Sequence, residues 1–188
     1  YADVRGLFSR DYYFDGQGEY VRVRDGSGSL SNTTTNITQG AAYKGGCYFP
    51  DPSYRFGAKF DTYYKFCYGG IHRVNYVIEN TLKMIPNAKT EESKKKLETV
   101  IGEARLLRGM IYFRLISMWG DVPYIDHVVY NQTEMDKIVR TSIAKIKDYI
   151  IEDFNYAFEK LPIKSEQIGR ASKPAALAFK GKLELYWA

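Results

Sequence analysis

A chain of 188 residues, 45% of them hydrophobic, is long enough for one or two compact domains with a sizeable core, and its composition excludes a disordered polymer. Its 27 basic and 22 acidic side chains leave a net charge of +5, too small an excess to argue for nucleic acid by itself. No apolar run is long enough to span a membrane, and there is no CxxC or Cys/His cluster to suggest zinc.

Aromatic content is the unusual figure: 17 Tyr, 10 Phe and 2 Trp. Tyrosine joins a flat apolar ring to a hydroxyl, which suits half-wet surfaces that stack on sugars or extended peptides. Along the chain, Val4, Leu7, Phe8 and Tyr12 recur at helical spacing, and Ala2 to Phe14 reads as a short helix. From Asp15 to about Asp51, glycines mix with Ser, Thr and Asn. This stretch reads as a long loop between the first two helices, reaching Tyr54, and loops of this length tend to be functional. A helix is expected from about Arg55, with the stripe Cys67, Ile71, Val74, Ile78, Leu82 and Ile85, ended by Pro86 and Asn87.

Thr90, with Glu91 and Glu92, starts the next helix, striped by Leu97, Ile101, Ala104, Arg108, Ile111, Leu115 and Met118. Lys94 to Lys96 lie beside Glu91, Glu92 and Glu98 and read as a solvated face. Gly120 and Pro123 break that helix. After a polar link, Thr141 or Ser142 can cap a helix striped by Ile143, Ile146, Ile150, Phe154, Ala157 and Leu161, with Pro162 as its stop. The last helix is expected from about Pro174, and its small residues Ala175, Ala176, Ala178 and Gly181 would let a partner approach closely. The expected architecture is all-α: stacked helix hairpins of tetratricopeptide-like type, forming one helical domain over 1–188 with the loop at 15–54 inserted. The chain opens at Tyr1 like a helix interior and closes within the apolar stretch Leu183 to Trp187, so a piece of a longer protein is expected.

Three segments carry a resemblance. Gly102-Glu103-Ala104-Arg105-Leu106-Leu107-Arg108-Gly109, then Tyr112-Phe113, continues to Gly120-Asp121-Val122-Pro123. It resembles the "GEAR-x-LRA-x-x-YF…GDVP" signature of the SusD/RagB family of outer-membrane nutrient-binding lipoproteins. Ile151 to Phe154, with Ala157 and Leu161-Pro162, is similar to that family's "I-x-x-DL-x-x-A-x-x-x-LP". Gly169 to Ala176, with Leu183 and Tyr186, is similar to "GRATK-x-AA…L-x-x-x-Y", and Tyr68, Ile71 and Asn75 to "Y-x-x-I-x-x-AN". Gly109 stands where alanine is usual, and Ser172 replaces threonine. The resemblance runs from about Tyr63 to the end. It implies a non-enzymatic binder of oligosaccharide, or of peptide in RagB-like members, beside a SusC-like TonB-dependent transporter. It also implies a surface lipoprotein anchored through a lipidated cysteine upstream of Tyr1, and a longer chain with a further C-terminal part. A tetratricopeptide-like scaffold that docks only protein is the rival from another class.

Candidate site residues follow from both readings. Tyr43, Tyr48 and Tyr54, with Asn36 and Arg55, lie in or beside the glycine-rich loop. Rings stack on sugar faces, and Asn and Arg hydrogen-bond hydroxyls; the same rings could equally pin the loop to the helices. No cofactor or metal is expected. His72 and His127 have no nucleophile or HExxH context, and Glu152 and Asp153 are adjacent on a helix and point apart, so no catalytic residue is assigned. Arg105 and Arg108 sit among apolar side chains and need Asp121, Glu152 or Asp153 as partner. Between an anionic-ligand clamp and a tie between hairpins, the resemblance favours the tie. Asn75 reads as a satisfied internal hydrogen-bonder. Cys47 in the loop and Cys67 in a helix could pair in an exported protein; sequence leaves this open.

Overall fold

In the computed structural model the described residues are 55–165 and 167–187, with side chains from residue 64 onward. The expected helix over Ala2 to Phe14 and the loop up to Tyr54 lie outside them. The chain divides into two compact units, 1–68 and 69–188. Of the first, the described part is the opening stretch of helix α1 (Arg55–Met84), where the Tyr64 and Tyr68 rings lie 4.8 Å apart and Cys67 is buried. Cys47 lies outside the described residues.

The second unit is helical hairpins, as the sequence pattern predicts. α1 turns through a 3-10 segment (Ile85–Asn87) into α2 (Glu91–Trp119). The Thr90 hydroxyl accepts from the Ser93 N–H at 3.1 Å, and Glu91 and Glu92 place negative charge in the first turn, where the helix dipole favours it. After α2 the chain forms β1 (Val122–Pro123), the single turn α3 (Gln132–Met135) and β2 (Arg140–Thr141), the two strands pairing antiparallel. The sequence reading has only a polar link here. α4 (Ile143–Lys160) and α5 (Lys173–Tyr186) form the last hairpin.

Residue pairings show antiparallel packing throughout. Asn75 of α1 meets Arg108 of α2, and Val74 and Ile78 cluster with Ile101 and Ala104. Thr99 and Arg108 of α2 meet Lys160 and Asp153 of α4. Lys173 of α5 lies over the Phe158 ring of α4, and Phe154 lies beside Phe179. The α4 stripe is buried as expected at Ile146, Ile150, Phe154, Ala157 and Leu161. Each large apolar side chain there contributes about 1.5–3 kcal/mol. α2 buries more than its expected stripe: Leu106, Tyr112, Phe113 and Ile116 are buried too. The reason is position, since α2 lies between α1 and α4 and has two faces to cover. Leu82, expected in the α1 stripe, is exposed. So are Ala178 and Gly181 of α5, and nothing approaches within 4 Å of a Cβ built on Gly181.

The start of α4 corrects one expectation. Ser142 occupies the cap position but makes no side-chain cap bond. Instead Asp121, 22 residues earlier, accepts the Ile143 N–H at 2.9 Å. Gly120 at φ 72° makes the turn that leads into it, a conformation glycine adopts without steric cost.

Gly109 explains its own departure from the family pattern. A Cβ there would lie 2.6 Å from Phe154 Cε1, and Phe154 is fully buried. The SusD/RagB pattern that these motifs resemble has alanine at the first position and leucine at the second. Here a smaller residue on α2 faces a larger one on α4. Gly109→Ala is therefore expected to destabilise the fold by about 1 kcal/mol, overpacking outweighing the gain in helix propensity. In a Phe154→Leu background the same change should stabilise. Urea denaturation of the four chains measures the coupling, and a Gly109→Ala effect of the same sign in both backgrounds would refute it.

Candidate functional site

The proposed ligand residues fall at the edge of what the structure describes. Tyr43, Tyr48, Tyr54 and Asn36 lie outside the described residues. Arg55 is the first residue of α1, described through its backbone alone. The described residues do assemble a polar centre, and it organises the segment between α2 and α4.

α1 presents Asn75, α2 presents Arg108 and, one turn on, Tyr112, and α4 presents Asp153. All four are buried. The Arg108 fork grips Asp153 with two bonds of 2.7 Å, from Nε to Oδ2 and from Nη2 to Oδ1. Its Nη1 donates to Asn75 Oδ1 at 3.0 Å and to the Asp126 carbonyl at 3.1 Å. Asn75 Nδ2 donates in turn to the carbonyls of Ile125 (2.9 Å) and His127 (3.0 Å). The Tyr112 hydroxyl donates to the Ile125 carbonyl at 3.1 Å and accepts the Ile125 N–H at 2.7 Å. Burial alone would push the Arg108 guanidinium down, but the Asp153 carboxylate holds it above its ordinary range. Burial pushes the Tyr112 and Tyr124 hydroxyls up, so both stay protonated and able to donate.

What these groups do chemically is hold backbone. Three consecutive peptide units, Ile125 to His127, hang on side chains from two helices. Tyr124 anchors the segment from its other end, stacked on Tyr149 at 4.3 Å and against Tyr112 at 4.7 Å. Arg108 is thus the tie between hairpins that the sequence favoured, with Asp153 chosen over Asp121 and Glu152. Arg105 differs. Its guanidinium lies 4.3 Å over the Tyr156 ring, its Nε is 3.9 Å from Asp153, and that buried Nε has no hydrogen-bond partner.

The outer side of the same segment is polar and exposed. The His127 ring lies between Asp126 and Glu134, 2.8 Å from each. Tyr130 is 67% exposed, and its hydroxyl reaches Glu79 on α1 at 3.3 Å. Sequence reasoning missed Tyr112, Tyr124, His127 and Tyr130 as a group. Nothing in periodicity brings residues of a loop back onto helices 13 to 52 positions earlier. Among the described residues no three His, Cys, Asp or Glu side chains come together as a metal-binding group, and no helix is long and apolar enough to cross a membrane.

Removal of one partner tests the centre. Arg108→Met leaves Asp153 buried without its bidentate partner, with only Arg105 Nε 3.9 Å away, and should cost about 3–5 kcal/mol in chemical denaturation. Adding Asp153→Leu should recover at least half of that loss. Tyr112→Phe should cost about 1–2 kcal/mol and lower hydrogen-exchange protection of the Ile125 amide.

Comparison with known proteins agrees with the motifs. The family model for SusD-like proteins, described as starch-binding and associating with the outer membrane, matches residues 26–185. A SusD-like protein (P2) of Formosa agariphila is 36% identical over 90 residues, covering 47% of this chain and 17% of that protein. A laminarin-binding SusD-like protein of known structure superposes with a TM-score of 0.58 at 28% identity, covering 67% of this chain and 26% of its own. A structure determined with xylogluco-oligosaccharide gives a TM-score of 0.57 at 26% identity, covering 68% of this chain and 24% of its own. The matched stretch is thus about a sixth to a quarter of these relatives' length. With 160 of its residues inside the family model and its hairpins superposed on solved members, the chain belongs to the SusD-like family of starch-binding, outer-membrane-associated proteins.

Proposed function

We propose that this protein captures oligosaccharides at the outer membrane, without covalent chemistry, and passes them to a SusC-like TonB-dependent transporter. The observation that carries the reading is the family match across residues 26–185, in a family described as starch-binding. The laminarin-binding and xylogluco-oligosaccharide structures support a glycan over a peptide. In this reading the helices are the frame and the aromatic loop is the sensor. Tyr43, Tyr48 and Tyr54 stack on pyranose faces, and Asn36 and Arg55 donate to ring hydroxyls. Membrane contact is through a lipid anchor rather than through the helices.

Isothermal titration of the protein against starch, laminarin and xyloglucan oligosaccharides, with a peptide panel alongside, tests this. Binding to at least one glycan is expected, and Tyr43→Ala, Tyr48→Ala or Tyr54→Ala should weaken it by roughly fivefold or more, the effect of losing an anchoring ring worth about 1 kcal/mol. Peptide binding alone would move the assignment to peptide capture. Binding of neither class by a folded protein would leave a subunit that recognises only its transporter.

A further inference from the structure

The outer face of the Ile125–Met135 segment is built around one imidazole. His127 Nδ1 is 2.8 Å from Asp126 Oδ1, and Nε2 is 2.8 Å from Glu134 Oε1. Both partners are carboxylates, and a carboxylate only accepts. A neutral imidazole has one N–H, so it satisfies one of these contacts and sets a lone pair against an oxygen at the other. The imidazolium has two and satisfies both. The geometry points to a pH-sensitive clip: protonated His127 holds α3 against the 126–130 segment, and loss of its proton releases that hold.

The clip reaches beyond the histidine. Glu134 also accepts the Tyr130 N–H through Oε2 at 3.3 Å, and the Glu134 N–H is bonded to Asn131 Oδ1 at 2.9 Å. Tyr130 in turn donates to Glu79 of α1, which also pairs with Lys83. Release of Glu134 from the imidazole therefore frees the carboxylate that accepts the backbone N–H of an exposed tyrosine. The inner face does not titrate with it. Asn75 and Arg108 hold the His127 and Asp126 carbonyls, and neither changes charge near neutrality. The charged groups acting on the ring are Asp126 from its own segment and Glu134 from α3, both acidic.

The sign follows. The hydrogen bond to Asp126 is the largest influence, burial comes next and opposes it, and Glu134 adds to it, so the imidazole titrates above its ordinary range. A raised folded-state pKa contributes stability that is complete below the unfolded value of about 6.5 and lost as pH climbs through the folded one. The clip is thus closed from the carboxylate range up to that point and open above it. Exposed pairs of this kind are worth little, so the effect is local rather than global.

Two-dimensional NMR of the intact chain from pH 5 to pH 9 tests the clip. The His127 ring signal, the Tyr130 amide and the Glu134 amide should titrate with one shared midpoint above about 6.5. Across that midpoint, exchange protection of the Met135 and Asp136 amides, corrected for intrinsic rates, should fall about two- to fivefold. Glu134→Gln should lower the midpoint, and His127→Gln should abolish the pH dependence while the fold stays intact. A His127 midpoint at or below that of a free imidazole would overturn the proposal. So would Tyr130 and Glu134 amides that ignore the ring's titration.

Discussion

A guanidinium and a carboxylate buried together between helices cannot be treated as two surface charges. Arg108 and Asp153 are 5% and 2% exposed, so each depends on the other to offset its loss of water. The pair fixes α2 and α4 in azimuth and in register, because a bidentate fork tolerates little sliding. It also exports that order. The one Nη1 not used on Asp153 reaches Asn75 on α1 and the Asp126 carbonyl, so a single side chain joins its own helix to two others and to the segment between α2 and α4. An apolar pair of the same volume could be as stable, but it would leave the Asp126 carbonyl without its donor.

The motifs that made the family legible meet one another in this structure. Gly102 lies under Leu161, close enough that an added Cβ would sit 3.4 Å from its side chain. Its neighbour Glu103 pairs with Arg170 across 67 residues. Arg108 pairs with Asp153, and Asp121 caps α4 at Ile143. Lys173, opening α5, donates its N–H to the Pro162 carbonyl at 2.8 Å. The "GEAR…GDVP", "DL…LP" and "GRATK" patterns are thus three sides of one set of contacts. That is why the helices, the order of hairpins and the structural role of Arg108 could be read from the chain: periodicity marks the buried faces, and the motifs mark where those faces are pinned.

The proposed binding surface is not legible in the same way, for a physical reason. A core residue answers to many neighbours at once, and its spacing records them. A ligand-facing tyrosine answers to a molecule the chain does not encode. Between Asp15 and Tyr54 composition speaks of rings and turns but carries no period. The 124–136 segment shows a milder form of the same blindness. Its inner side is set by Asn75, Arg108 and Tyr112, of which the first two are detectable as polar residues out of place in an apolar stripe. Its outer side, with His127 between two carboxylates, depends on a single helical turn and two short strands that no pattern announced.

Gly109 and Phe154 show how far the frame can drift while its contacts persist. Volume lost on α2 is recovered on α4, one residue from the ion pair at each position, so Arg108 and Asp153 keep their geometry. Either change alone would have pushed the helices apart or left a void beside a buried charge, and both are costly in a close-packed interior. The pair is constrained by shape and the ion pair by charge. Shape can be redistributed between two helices. Charge cannot, because no other described acid makes a bidentate bond to Arg108. The residues free to vary within this frame are therefore those whose neighbour can vary with them, and the ion pair stands where that freedom ends.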